Sequence, residues 1–471
     1  MSDEFDAVVE RVRERVEPDA AERERLDAVA DKLRERATAA IDDLPVDADV
    51  VLVGSTARDT WLAGDRDVDL FVSFPPDIDR TNLESYGLDV AHAVLPAGHE
   101  EYAEHPYVKG TYDGFDVDLV PCYAVEDATA IQSAVDRTPF HTEYLRSRID
   151  SALAGEVRVA KQFLTGIGVY GSDLRTRGLS GYLTELLVHE YGGFRAFVEA
   201  AAEWHPPVTV DPEDHGREHE TASPSRNDEV GSADLAFDDP LVVIDPTDPE
   251  RNVAAVCSAE AVARLQHYAR DLLADPREEL FSPTEPDPID AATVRDAFAR
   301  RGTTPVAVRF DAPDIVDDQL YPQLDRSLEG VTSELDRRGF DVLRAATWAD
   351  DSGVLFAELE AAERPAIERH EGPPVHVREH ATGFYEAYAD DDPADGTYGP
   401  FLDGDRYVVE RRREFETAVG FLESDALFDV ALGAHVESAL ESGYDVLSGE
   451  EVGELAEAFG VELAGYLDPR P

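Results

Sequence analysis

Lysine is nearly missing from this 471-residue chain: Lys32, Lys109 and Lys161 are the only three, and arginine supplies the remaining positive charge. Cysteine is scarcer still, with Cys122 and Cys257 alone. Two cysteines exclude a disulfide framework and point to a reducing compartment, the cytoplasm. No apolar run approaches the ~18 residues of a membrane span, and the opening MSDEFDAVVERVRERVEPD is charged throughout. Neither a signal peptide nor a membrane partner is expected.

Acid is what the chain has in excess. Asp and Glu number 102 against 42 Lys and Arg, a formal net charge of −60. The acids are dispersed along the whole sequence instead of gathered in a tail, which points to a protein adapted to molar salt. There, self-repulsion is screened within ~3 Å. A strongly negative chain normally argues against nucleic-acid binding. In molar salt, counterion release drives little binding, so net charge loses that diagnostic value and local arginine clusters matter more. With 43% apolar residues the chain can build real cores, and its length predicts about three domains.

Residues 1–45 read as two helices broken near Pro18. ADVVLVGS, RDVDLFVSFP and FDVDLVPCY read as strands, the last after a hairpin-like turn through Asp113 and Gly114. Interleaved helices indicate an α/β or α+β head. From Phe140 to about Trp204 the period turns helical. Residues 211–236 are polar and read as a disordered insertion on a surface loop. Beyond the Pro-rich FSPTEPDPID, the segments TPVAVRF, FDVLRAATWA and GVLFAELEA read as strands of a separate α+β module with a largely helical C-terminus.

Acid-x-acid pairs carry little information in such a chain, since random placement alone yields about 20 of them. Asp67-Val68-Asp69 stands out by its surroundings. Strand alternation puts both aspartates on one face and Val68, Leu70 and Val72 on the other. Asp116 and Asp118 repeat the arrangement over Phe115, Val117 and Leu119. Three carboxylates from two adjacent strands form an oxygen-rich site for hard divalent cations. Gly54-Ser55, ending an apolar strand ahead of TARDTWL, adds backbone N–H groups, a hydroxyl and Arg58 for a nucleotide triphosphate.

That order of motifs resembles the polymerase-β-type nucleotidyltransferase superfamily. The wording GSTARDTWLAGDRDVDLFVSFP is similar to the archaeal (class I) CCA-adding enzymes, tRNA nucleotidyltransferases. YAEHPYVKG, VDLVPCY, SAVDRTPFHTEYL, LSGYLTELL, DPTDPERNVAA and PDIVDDQLYPQL extend the likeness along nearly the whole chain. The insertion at 211–236 and the lysine-poor surface depart from it.

The resemblance implies an α+β fold: a mixed-sheet nucleotidyltransferase head (1–140), a helical neck (141–205), a central domain (206–290) and a tRNA-binding body and tail (291–471). It implies Asp67, Asp69 and Asp118 as the catalytic residues holding two Mg²⁺ ions, with Asp116 as the alternative to Asp118. For ATP and CTP it implies Ser55, Arg58, His141, Lys161, Tyr170 and Arg251. It also implies tRNA as substrate and a homodimer. Poly(A) polymerases and other enzymes of the superfamily, or an RNA-binding protein with a dead head, are the competing readings. His376, Glu379 and His380 fit the H-x-x-E-H pattern of zinc proteases only by the chance that a chain so rich in glutamate allows. ERRREF (410–415), the densest basic run, is either a helix face or an RNA-phosphate patch.

Overall fold

The computed structural model describes residues 2–102, 104–215, 237–390 and 396–471. All of 211–236 except Asp211–His215 lies outside the described residues. The fold is α+β and divides into two compact units, Met1–Thr284 with Pro471, and Glu285–Arg470.

The first unit opens with helices α1 (Ser2–Val16) and α2 (Ala20–Ile41). The break falls at Pro18 because Asp19 caps α2: its carboxylate accepts from Glu22 N–H, and the Glu22 carboxylate accepts from Asp19 N–H, both at 2.9 Å. There follow β1 (Asp49–Leu52), α3 (Gly54–Arg58), β2 (Asp67–Phe74), α4 (Arg80–Val94), β3 (His99–Tyr102), β4 (Pro106–Tyr112) and β5 (Phe115–Tyr123). They build a five-stranded sheet of order β1-β2-β5-β4-β3, in which only β2 and β5 run parallel. The β4–β5 turn is the two-residue Asp113-Gly114, both at positive φ, as a primed hairpin turn requires. Val68, Leu70 and Val72 of β2 pack with Val117 and Leu119 of β5 into one core beneath the sheet, together with α2 and α4.

A helical layer comes next: α5 (Thr138–Arg146), α6 (Ser151–Gly166), α7 (Gly181–Tyr191) and α8 (Phe194–Ala202). Strands β6 (Val208–Val210), β7 (Leu241–Asp245) and β8 (Asp248–Asn252) form a small sheet beside α9 (Ala259–Ala274). A second core centred on Phe163, Phe194, Phe197 and Phe281 joins these helices to α1.

The second unit holds α10 (Ala291–Arg301), β9 (Thr304–Asp311), α11 (Asp317–Arg337), β10 (Val342–Ala349), β11 (Ser352–Leu359), β12 (Ile367–Pro374), α12 (Arg378–Tyr388), β13 (Tyr398–Asp403), β14 (Arg406–Arg412), α13 (Ala418–Leu422), α14 (Ala434–Ser442), β15 (Tyr444–Ser448) and α15 (Ala456–Leu467). Its sheets are β10-β11-β9-β15 and β12-β14-β13.

The largely helical C-terminal part expected from the sequence also holds one strand, β15, which pairs with β9. ERRREF is neither a helix nor a helix face: Glu410, Arg411 and Arg412 end strand β14. The sheet containing it escapes a periodicity search because β13 is mostly exposed, β12 is largely half-buried, and neither shows apolar alternation. His376 stands in the turn before α12, so His376, Glu379 and His380 do not share the continuous helix that a zinc protease needs.

Candidate active site

The parallel pairing of β2 and β5 sets Asp67 opposite Asp116 and Asp69 opposite Asp118. The carboxylates therefore form a ladder of two rungs on one face of the sheet, over a face that is fully apolar. Asp116 is exposed on the outer rung and accepts from Thr111 Oγ1 at 3.3 Å. Asp118 sits on the inner rung, and its Oδ1 is buried with no hydrogen-bond donor. Lys109, opposite Asp118 on β4, brings its ammonium to 3.6 Å from that oxygen, an ion-pair distance too long for a hydrogen bond.

Gly54 adopts φ +73° and passes directly over Asp69, so that a Cβ at position 54 would collide with Asp69 Oδ2. Only glycine combines that conformation with that approach. Helix α3 is shorter than TARDTWL suggests. It ends at Arg58 because Asp59 turns left-handed (φ 55°) and is held by Arg23 and by buried Arg158, whose Nη2 donates to Asp59 O at 2.7 Å.

Burial, then the charge of Asp118 and then that of Asp67 push the Asp69 carboxyl up to about 6. Asp67 is raised by burial and then by Asp116, and Asp118 is raised chiefly by burial. These are the signs of carboxylates short of positive charge. An all-oxygen donor set with raised carboxyls and an orphaned oxygen on Asp118 fits a hard divalent cation such as Mg²⁺. Among the described residues no three such side chains converge on one point.

Four of the six expected nucleotide residues fall into two connected groups. Arg58 and Lys161 meet on one carboxylate, Glu185 of α7, which is fully buried. Glu185 Oε1 accepts from Lys161 Nζ at 2.8 Å and from Thr60 Oγ1 at 2.6 Å, and Oε2 accepts from Arg58 Nε. Lys161 Nζ also donates to Thr60 O at 3.0 Å and to Thr60 Oγ1 at 3.2 Å. Its ammonium is thus fully engaged within the protein here, and burial lowers its pKa. Burial alone would raise the Glu185 pKa, but Lys161 and Arg58 bring it down to about 2, so the carboxylate stays ionised.

His141 and Arg251 meet on a second buried carboxylate. Asp245 Oδ2, at the end of β7, lies 2.7 Å from His141 Nε2 and accepts from Arg251 Nη1 at 2.8 Å. The imidazole stacks on Tyr182 at 4.0 Å between centroids. Burial depresses the His141 pKa, against the pull of Asp245. Thr142, next in sequence, links the groups by accepting from Arg58 Nη1 at 3.2 Å.

Tyr170 pairs with Leu179 in an isolated bridge and sets its hydroxyl against Gly181, where burial and then the Glu185 charge raise its pKa. Ser55 is half-buried on α3, one residue from Gly54. Sequence reasoning missed Glu185, Asp245, Thr142, Tyr182 and Lys109. The usable signal for two of them was an acid inside an apolar run, GYLTELLVHEY and LVVID.

Residues 30–141 match the nucleotidyltransferase domain, 155–282 the second domain of tRNA nucleotidyltransferase, and 301–449 the C-terminal domain of the CCA-adding enzyme. The chain is 64% identical to a CCA-adding enzyme of Haloarcula marismortui and 62% identical to one of Halorubrum lacusprofundi, each over 100% of both chains. It is 40% identical to that of Methanosarcina mazei over 94% of this chain and 93% of the relative. Two salt-adapted relatives of full length account for the dispersed acid and the missing lysine. The chain belongs to the CCA-adding enzyme family.

Proposed function

We propose that this protein adds or repairs the 3′-terminal CCA of tRNA without a nucleic-acid template, transferring CMP, CMP and AMP from CTP and ATP and releasing pyrophosphate. The single observation that carries the reading is the two-rung carboxylate ladder at Gly54, lying in a chain related over its full length to CCA-adding enzymes.

Two Mg²⁺ ions held by Asp67, Asp69 and Asp118 would activate the tRNA 3′-hydroxyl and neutralise the departing pyrophosphate. The chain's own residues supply the rest. Asp118, whose Oδ1 lacks a hydrogen-bond donor, would take the proton of the attacking hydroxyl. Ser55 and Arg58 on α3 hold the triphosphate beside Asp69. Lys161 and Tyr170 back that pocket from the neck. His141 and Arg251 read the base end of the nucleotide. On this reading 1–140 is the catalytic head, 141–205 the neck, 206–290 the central domain, and 291–471 grips tRNA. The protein is taken as a cytoplasmic homodimer, a state that sedimentation of the purified chain checks. No described helix is long and apolar enough to cross a membrane.

The test supplies tRNA lacking its 3′ end, labelled CTP and ATP, Mg²⁺ and molar KCl. Addition of C, C and A followed by arrest is expected. Long A tails would move the protein to the poly(A) polymerases, and no product would leave a non-catalytic RNA-binding protein.

A further inference from the structure

His141 and Arg251 lie far apart in sequence, on α5 and β8, yet they share a single oxygen atom. Asp245 is wholly inaccessible to solvent. Its Oδ1 is saturated by Thr247, which donates from its backbone N–H at 2.9 Å and from its hydroxyl at 2.8 Å. Its Oδ2 takes His141 and Arg251. No acceptor position is left for substrate, so Asp245 works through its neighbours.

Two consequences follow from carboxylate chemistry. An ionised carboxylate can only accept, so His141 carries hydrogen on Nε2 and presents Nδ1 away from Asp245. Arg251 is tied at one terminal nitrogen while its side chain stays 37% exposed. A guanidinium held at one corner is restrained there and keeps its other donors for a ligand. The Tyr182 ring, parallel to the imidazole within 11°, fixes the remaining rotation of His141.

We propose that Asp245 is a positioning residue for nucleotide recognition: one buried carboxylate that sets the His141 tautomer and aims the Arg251 guanidinium, so that discrimination between CTP and ATP depends on a group that touches neither. This rests on the reading of His141 and Arg251 as nucleotide-binding residues. Thr247 is part of the same device, since it consumes the oxygen that would otherwise compete for Arg251.

The experiment compares wild type, Asp245→Asn, Arg251→Ala and the double variant as full-length chains in molar KCl. KM and kcat are measured for CTP on tRNA lacking CCA and for ATP on tRNA ending in CC, together with misincorporation of each nucleotide. The asparagine keeps the shape but turns one acceptor into a donor facing Arg251. Asp245→Asn should raise both KM values and reduce CTP–ATP discrimination by about tenfold, the loss of one charge-assisted hydrogen bond. The kcat at saturating nucleotide should stay within about threefold. In the double variant, discrimination should fall by clearly less than the product of the two single losses, because Asp245 acts in part through that arginine. Wild-type selectivity in Asp245→Asn, or losses that multiply in the double variant, overturn the proposal.

Should Asp245→Asn not fold, a melting cycle of His141→Gln and Arg251→Ala without nucleotide takes its place. Their shared carboxylate predicts non-additive shifts, and additive ones overturn the proposal. If wild type adds no CCA, the functional reading fails, while the melting cycle still decides whether Asp245 couples the two side chains.

Discussion

Replacing Glu185 by glutamine tests whether the buried charge network holds the site together. Glu185 is the carboxylate that Lys161 and Arg58 share, and it is completely enclosed. Folding brings its pKa from the ordinary 4.5 down to about 2, which corresponds to about 3 kcal/mol. That agrees with the ~3–5 kcal/mol lost when one partner of a buried pair is removed and a charge is stranded.

Because the folded-state pKa is depressed, this stability is fully present above pH 4.5 and is lost as pH falls toward about 2. In the 284-residue unit, where 1 kcal/mol shifts the melting temperature by ~2 °C, Glu185→Gln should melt about 6 °C lower at pH 7. It should also lose the share of the wild-type decline between pH 4.5 and about 2 that Glu185 contributes. The assay is thermal unfolding by circular dichroism in molar KCl. Adding Lys161→Met should return part of the loss, because one of the stranded cations is then gone. A variant melting within about 1 °C of wild type, with the acid decline intact, would refute the reasoning.

Asp118→Ala should reduce nucleotide incorporation by at least about a thousandfold, some 4 kcal/mol of transition-state stabilisation, while tRNA retention in a filter-binding assay stays near wild type. Gly54→Ala must displace the Asp69 carboxylate and hold an L side chain at φ +73°. It should cost about 1 kcal/mol or more of stability and abolish incorporation at any Mg²⁺ concentration tried, so rescue by added Mg²⁺ would count against the close approach. Diluting KCl from 1 M to 0.1 M lengthens screening from ~3 Å to ~10 Å. With a net charge of −60, the helical signal should then collapse, and a fold unchanged in dilute buffer would contradict the salt-adapted reading.

The carboxylate ladder was legible in the sequence because strand period and apolar backing mark Asp67 and Asp69, and Asp116 and Asp118, even where acid pairs are common. Reading the two carboxylate strands as adjacent also agrees with the structure, whereas their parallel pairing was not legible. It depends on α4 and the β4–β5 hairpin lying between them in sequence. Glu185 and Asp245 were hidden by abundance: among 102 acids, a single one carries little information unless its apolar flanks are weighed. The β12-β14-β13 sheet was illegible for the opposite reason, since an exposed β13 and a half-buried β12 carry no burial rhythm.

The three lysines occupy three grades of enclosure. The side chain of Lys32 is 52% exposed, that of Lys109 is 42% exposed beside Asp118, and that of Lys161 is 3% exposed. A protein that has surrendered almost every other primary amine is therefore nearly blind to amine-directed reagents. Acylation followed by mass spectrometry should mark Lys32 and Lys109 in the native molecule and reach Lys161 only when the first unit opens. The rate at which that one peptide gains mass reads out the opening equilibrium of the first unit without any engineered label.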